Sequence, residues 1–316
     1  MSDFGWASTT DEVLAGKDLS GRTVFITGAN SGLGQETARA FAARGAHVVM
    51  AGRDQAKLDA AVAAIRAEVA DAQLDTLTLD LTSLESIRAA TSRARQQFPA
   101  IDLLINNAGV MATPFLHTQD GFEMQLGTNH FGHFALTAEL MPAIERGSLR
   151  RIVNLSSRGH HMAPFDFDDP NFVHRPYNPW ASYGQSKTAN VLFTVGLEQR
   201  FAVLGIHAYA VHPGGIDTNL DRHMTEEMRE GLMQRIAKSD PGFRFKTIPQ
   251  GAATSCWAAT AEELEGRGGV YCEDCHVAEV DDERRDGGVR SYALNPSFAE
   301  RLWKLSEELT GARFPS

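Results

Sequence analysis

Cysteine is scarce in this chain: Cys256, Cys272 and Cys275 are the whole complement, and all lie late in the sequence. Three thiols so placed cannot build the disulfide framework of a small secreted domain, so free thiols are expected. Long apolar runs are missing too, none approaching the roughly 18 residues of a membrane-spanning helix. The first residues, with Asp3, Asp11 and Glu12, lack the basic and apolar regions of a signal peptide. No membrane anchor is expected, and a cytoplasmic location is. Basic residues are in deficit, 30 Lys and Arg against 40 Asp and Glu, for a net charge of −10 and a pI near 5.6. That balance argues against nucleic acid or an anionic membrane as a partner. Low-complexity linkers and charge blocks are absent as well, so the 316 residues read as one domain with extensions, and a hydrophobic content of 43% supplies a large core.

What is present is an alternation of strand and helix. After a short capping helix between Ser8 and Lys17, Arg22 to Thr27 reads as a buried strand running into Gly28-Ala29-Asn30-Ser31-Gly32-Leu33-Gly34, with a helix behind it whose apolar side carries Ala38, Phe41 and Ala42. Strand, glycine-rich turn and helix let backbone N–H groups and a helix N-terminus meet a pyrophosphate. A second strand, His47 to Ala51, ends in Gly52-Arg53-Asp54. A ribose 2′-hydroxyl calls for a carboxylate at that strand end, whereas a guanidinium suits a 2′-phosphate. Arg53 therefore favours NADP, with NAD possible, and Asp54 reads as the N-cap of a helix over residues 55 to 69. A third strand, Leu74 to Leu79, precedes Asp80-Leu81-Thr82-Ser83 and a helix to about Gln97. Asp80 reads equally as a helix cap or as a carboxylate beside an adenine.

A fourth strand, Ile101 to Ile105, leads into Asn106-Asn107-Ala108-Gly109, small and polar where backbone can approach a cofactor; a long helix is expected from about Gly121 to Arg146. Further strands are expected at Arg151 to Leu155 and Ile206 to Val211, on either side of a helix opened by Asn178-Pro179 and closing near Phe201. This order implies an α/β fold, a doubly wound parallel sheet of Rossmann type with ligands at the carboxyl ends of its strands. By that rule Ser156 and Ser157 face the site. Tyr183 and Lys187 stand four residues apart on one helix face, where a cation favours the phenolate and makes Tyr183 a plausible acid/base. Cys272-Glu273-Asp274-Cys275-His276 spells a haem-attachment motif, but no apolar crevice, further axial ligand or oxidising compartment accompanies it. Zinc lacks an evident fourth ligand, so no metal site is assigned.

Thr27 to Gly34, Asp80, Asn106-Asn107-Ala108-Gly109, Asn129, Ser157, Tyr183-Gly184-Gln185-Ser186-Lys187 and Pro213-Gly214, in that order, resemble the short-chain dehydrogenase/reductase superfamily over about residues 20 to 220. Within it, Asn129-His130-Phe131-Gly132-His133-Phe134, Asn154-Leu155-Ser156-Ser157 with His160-His161, and Ser186 to Phe193 are similar to the retinol-dehydrogenase-like and WW-domain-oxidoreductase-like branch. The resemblance implies that Tyr183 exchanges the proton with the carbonyl or alcohol oxygen, and that Ser157, the second serine, hydrogen-bonds it. Lys187 would hold the nicotinamide ribose and lower the Tyr183 pKa, and Asn129 would support a proton-relay water. It also implies cofactor contacts from Gly28, Asn30, Ser31, Gly32, Leu33, Gly34, Arg53, Asp80, Leu81, Asn107, Ala108, Gly109, Pro213, Gly214 and Thr218. The interval from Ser157 to Tyr183 is longer than in many members, which marks an inserted loop.

The expected organisation is an N-terminal extension over residues 1–20, a cofactor-binding and catalytic domain over 21–271 with a substrate lid at about 214–248, and a C-terminal extension over 272–316. A helix from Pro249 to Thr260, a last strand Gly268 to Tyr271 and a C-terminal helix Pro296 to Glu308 complete the reading. Membrane-anchored members of the retinol branch begin with an apolar segment. Met1 to Ser20 is polar here, which argues against a retinoid role. The inserted loop (His160, His161, Met162, Phe165, Phe167, Phe172, Tyr177, Trp180) and the lid (Met224, Met228, Leu232, Met233, Phe243, Phe245) are rich in aromatic and thioether groups, with Arg158 and Arg175 the loop's candidates for an anion. The expected function is NADP(H)-dependent interconversion of a lipophilic alcohol and its aldehyde or ketone, possible as a homo-oligomer. NAD-dependent alcohol oxidation and a non-catalytic NADP(H) sensor or scaffold are the alternatives.

Overall fold

In a computed structural model, residues 3–240 and 242–315 are described; Met1, Ser2, Pro241 and Ser316, which fall in the expected N-terminal extension, lid and C-terminal extension, lie outside them. Eight strands, β1 (Thr23–Thr27), β2 (His47–Gly52), β3 (Gln73–Thr78), β4 (Leu103–Asn106), β5 (Arg151–Leu155), β6 (His207–His212), β7 (Val270–Glu273) and β8 (His276–Val277), form one sheet. Their order is β3-β2-β1-β4-β5-β6-β7-β8. All neighbours pair in parallel except β7 and β8. The chain reverses its winding between β1 and β4, opening a crevice at the carboxyl ends of those strands.

Alternate strand residues feed two cores. Val24, Ile26, Val48 and Met50 pack with the buried faces of α2 (Gly32–Ala42), α3 (Gln55–Glu68) and α9 (Ile248–Thr260), while Phe25, Val49 and Leu104 pack under α4 (Leu84–Gln97), α6 (Gly132–Ile144), α7 (Pro179–Phe201) and α10 (Pro296–Thr310). Burial on both faces is why these strands read as continuous apolar runs rather than as alternating ones. The short α1 (Thr10–Val13) carries a Thr9–Glu12 capping box and packs on α2 and α9. The segment expected to be a lid contains α8 (Glu226–Ser239).

The long helix expected from Gly121 to Arg146 is interrupted: α5 (Met124–Leu126) passes through a π-turn, Gly127–Phe131, before α6 begins. Turns of this kind are frequent at functional sites, and Asn129 sits in it. Beside it, Asn106 Nδ2 donates to Asn154 Oδ1 at 2.8 Å and Asn154 Nδ2 to Thr194 Oγ1 at 2.9 Å, a buried ladder tying β4 and β5 to α7. The Cys272–His276 motif is a hairpin. Cys272 pairs with Val277 and Glu273 with His276, while Asp274 and Cys275 turn with φ of 47° and 56°, the positive pair a two-residue connection of this twist requires. The three cysteines are free and buried.

Candidate active site

A cleft of about 970 Å³ runs along the carboxyl edge of the sheet from Arg53 to Phe243. It is lined by every site residue expected from the sequence except Asn129. At its glycine-rich end Ser31 is the N-cap of α2 and makes no side-chain cap bond, so the first N–H groups of that helix have no capping side chain and are of the kind that can meet an anion. Gly34 must be glycine, because a Cβ there would run into the Gly28 carbonyl oxygen. Asn107 braces the same turn from the next strand, its Nδ2 donating to Thr27 O at 2.8 Å, while the Thr27 hydroxyl accepts the Asn107 and Ala108 N–H groups at 2.9 and 3.0 Å.

The open choice for Asp80 resolves against the cap. Ser83 caps α4, accepting from Ser86 N, and Asp80 Oδ1 accepts from Thr82 N at 2.9 Å and Thr82 Oγ1 at 2.8 Å, a local turn at the wall of the cleft. Asp54 does cap α3. Arg53 has company not expected from the sequence, since Lys57, Arg222 and His223 line the same end. Burial, and after it the Arg53 charge, hold the Arg222 guanidinium below its ordinary value. No local signal marked Arg222, which arrives from a loop far along the chain.

At the other end Tyr183 and Lys187 project from α7, each 4% exposed. Lys187 Nζ donates to Leu155 O at 2.9 Å and lies 5.6 Å from the Tyr183 ring centroid. The lowering of Tyr183 expected from Lys187 is not among the causes that act on its phenol. Burial pushes the phenol up to about 12 against an opposing hydrogen bond from Ser157, and burial pulls the ammonium down to about 7. Desolvation penalises each charged form and is the leading cause of both shifts. The two serines part company: Ser156 Oγ donates to Lys187 O at 2.9 Å, whereas Ser157 Oγ accepts from Gly159 N at 2.9 Å, which leaves its proton to donate. Gly159 lets this turn approach Tyr183, for a Cβ would stand 2.6 Å from Tyr183 Cε1.

Asn129 lies behind the cleft. Its Oδ1 accepts from Val110 N at 2.9 Å and its Nδ2 donates to Val110 O at 3.0 Å and Ser186 Oγ at 2.9 Å. Its carbonyl oxygen is 2.9 Å from His133 Nδ1, and burial keeps that imidazole neutral, its pKa near 4. Of the aromatic and thioether groups expected around a substrate, Met162, Trp180, Leu232, Phe243 and Phe245 line the cleft. Phe165 and Phe167 pack in a core under α7 and α10 instead, and Phe172 against Tyr177. Arg175 turns away too, held by Asp166, Asp169 and Gln185.

A family model described as short chain dehydrogenase matches residues 22–229. A protein of Streptomyces lividans named "probable oxidoreductase" is 43% identical, over 93% of this chain and 99% of its own length. Human retinol dehydrogenase 12 is 40% identical, over 94% of this chain and 88% of its own. An uncharacterised protein from Mycobacterium paratuberculosis shares the fold with a TM-score of 0.74, 36% identity, and coverage of 99% and 100%. Among the described residues no helix is long and apolar enough to cross a membrane.

Proposed function

We propose, from the premise that this chain belongs to the short-chain dehydrogenase family, that it interconverts a lipophilic alcohol and its aldehyde or ketone with NADP(H), Tyr183 serving as acid/base. That it is an oxidoreductase acting on CH–OH groups follows from the family and its named relatives. The cofactor and substrate class rest on the cleft. An uncapped helix N-terminus behind a glycine cradle suits a pyrophosphate, and Arg53 with Arg222 at the adjoining end suits a 2′-phosphate. The bound nicotinamide supplies or accepts the hydride.

The chain's own residues handle the proton. In reduction Tyr183 donates from its phenol, which burial keeps protonated, while Ser157 offers its hydroxyl hydrogen to the same oxygen. In oxidation the same oxygen must first be the phenolate, and it then takes the proton of the alcohol. Lys187, on the next turn of α7, supplies the nearby positive charge when protonated and the donor for a ribose hydroxyl. The observation that carries this reading is the convergence of Ser157, Tyr183 and Lys187 in the wall of the cleft that holds the glycine cradle.

The substrate end supports an uncharged, apolar ligand. Arg158, the other arginine of the inserted loop, is engaged by Asp240 Oδ2 at 3.4 Å and Asp286 O at 3.0 Å. Relatives named retinol dehydrogenase 12 act, by that name, on an apolar alcohol. A panel of neutral carbonyls, retinal among them, assayed by NADPH and NADH consumption tests the proposal. kcat/KM should climb as alkyl or aryl groups are added, by up to about 0.8 kcal/mol for each buried CH₂. Preference for short polyols or sugar phosphates would refute the substrate class, and NADPH binding without turnover on any member would favour the sensor alternative.

A further inference from the structure

Ser157 is anchored from behind by a residue the mechanism does not use. His160 is fully buried, with Nδ1 2.8 Å from Ser157 O and Nε2 accepting from Arg290 N at 3.1 Å. A backbone N–H can only donate, so Nε2 is bare and the ring proton sits on Nδ1, directed at the serine carbonyl. Burial, the leading cause, drives this imidazole's pKa down to about 3 and keeps the tautomer neutral. His161 has the opposite arrangement: its Nε2 is 3.0 Å from Gly288 O, an acceptor, so the proton is on Nε2. The two rings meet edge to face at 4.4 Å. Together they grip backbone that belongs to the C-terminal extension.

That backbone is itself fastened. Gly288 N donates to Glu273 Oε1 at 2.7 Å, at the end of β7. Arg290 Nη1 and Nη2 donate to Asp281 O and Arg284 O, and Tyr292 Oη donates to His160 O at 2.6 Å. A chain of hydrogen bonds thus runs from the sheet edge through residues 288–292 and His160 to Ser157.

We propose that His160 is a positioning residue for Ser157, held in register by the C-terminal segment 288–292, so that this segment helps set the position of the serine hydroxyl. The inference rests on the role given to Ser157 above. A hydroxyl displaced by even about 1 Å loses much of its effect on a transition state, so the loss should fall on kcat while NADPH binding stays intact.

The test uses the full-length enzyme with NADPH and the best carbonyl of the panel. Two conservative variants separate the roles: His160→Asn keeps an N–H near Nδ1 and so keeps the side-chain contact to the serine carbonyl, whereas His160→Gln reaches the Arg290 side and leaves that carbonyl only the backbone N–H of residue 160, which donates to it at 3.0 Å. We expect Asn to retain most of kcat and Gln to lose about tenfold or more, with the Kd for NADPH unchanged in both. In a Ser157→Ala background the Asn–Gln difference should vanish, because there is no hydroxyl left to position. Gln matching or exceeding Asn, or an Asn–Gln gap that survives Ser157→Ala, would overturn the inference and leave His160 as a structural clamp. Ser157→Ala with undiminished kcat would instead strike the assignment of Ser157.

Discussion

Lys187 places its ammonium where burial costs stability, and the pH dependence of that cost can be worked out. Its folded pKa is depressed from 10.5 to about 7, so between those values the unfolded chain binds a proton that the folded chain has released, and this group's contribution to stability rises with pH across the window. Lys187→Met should therefore gain on the order of a few kcal/mol at pH 7 and lose the rise toward pH 10, while turnover collapses. The Leu155 carbonyl is not orphaned by the change, since Asn190 Nδ2 also donates to it at 2.9 Å. Urea titrations at the two pH values check this; a less stable variant at pH 7 would show that Lys187 is structural. The neighbouring phenol makes the complementary case. Tyr183→Phe should keep the fold and NADPH binding and lower kcat by about 10² or more, and retention of most activity would remove Tyr183 from the mechanism.

At the scale of elements, the end of the cleft proposed for the 2′-phosphate is assembled from the carboxyl end of β2 and from a loop that precedes α8. Arg53 and Arg222 share that end of the cleft, although Arg222 belongs to the segment read as a lid. Charge-assisted bonds to a phosphate contribute roughly 1.5–3 kcal/mol each. Arg53→Ala and Arg222→Ala should each raise KM for NADPH by an order of magnitude or more and barely alter KM for NADH. Equal effects on both cofactors would return the site to NAD. The helix that follows this loop, α8, is held to the start of α7 by Arg235 over the Trp180 ring at 4.9 Å.

For the whole molecule, the C-terminal segment belongs to the core. Trp303 of α10 is 4% exposed and packs against Phe134, Phe193 and Phe314, with the Arg200 guanidinium 4.1 Å from its ring centre. Gly196 of α7 makes room for it, since a Cβ there would stand 2.9 Å from Trp303 Cε3. Trp303→Ala should cost about 3–5 kcal/mol in a denaturant titration, and because this cluster lies away from the cleft, KM should hold in the folded fraction. A loss below about 1 kcal/mol would mean that α10 is an accessory rather than part of the core.

The sequence by itself determined the strand–helix alternation, the parallel sheet, the glycine cradle, and the α7 face that pairs Tyr183 with Lys187. Each of these is written in contiguous residues, where periodicity, capping and turn chemistry act locally; Asn178 and Pro179 start α7 where they were expected to. Only the tertiary structure decided the rest. It passed the helix expected over residues 121 to 146 through a π-turn at Asn129, a residue whose hydrogen bonds to Val110 and Ser186 reach other segments. It separated Ser156 from Ser157, sent Phe165 and Phe167 into a core, and made a hairpin of Cys272–His276. It also brought Arg222 to Arg53 and Arg290 to His160. Desolvation and long-range contact depend on the three-dimensional neighbourhood, and no stretch of residues read alone carries them.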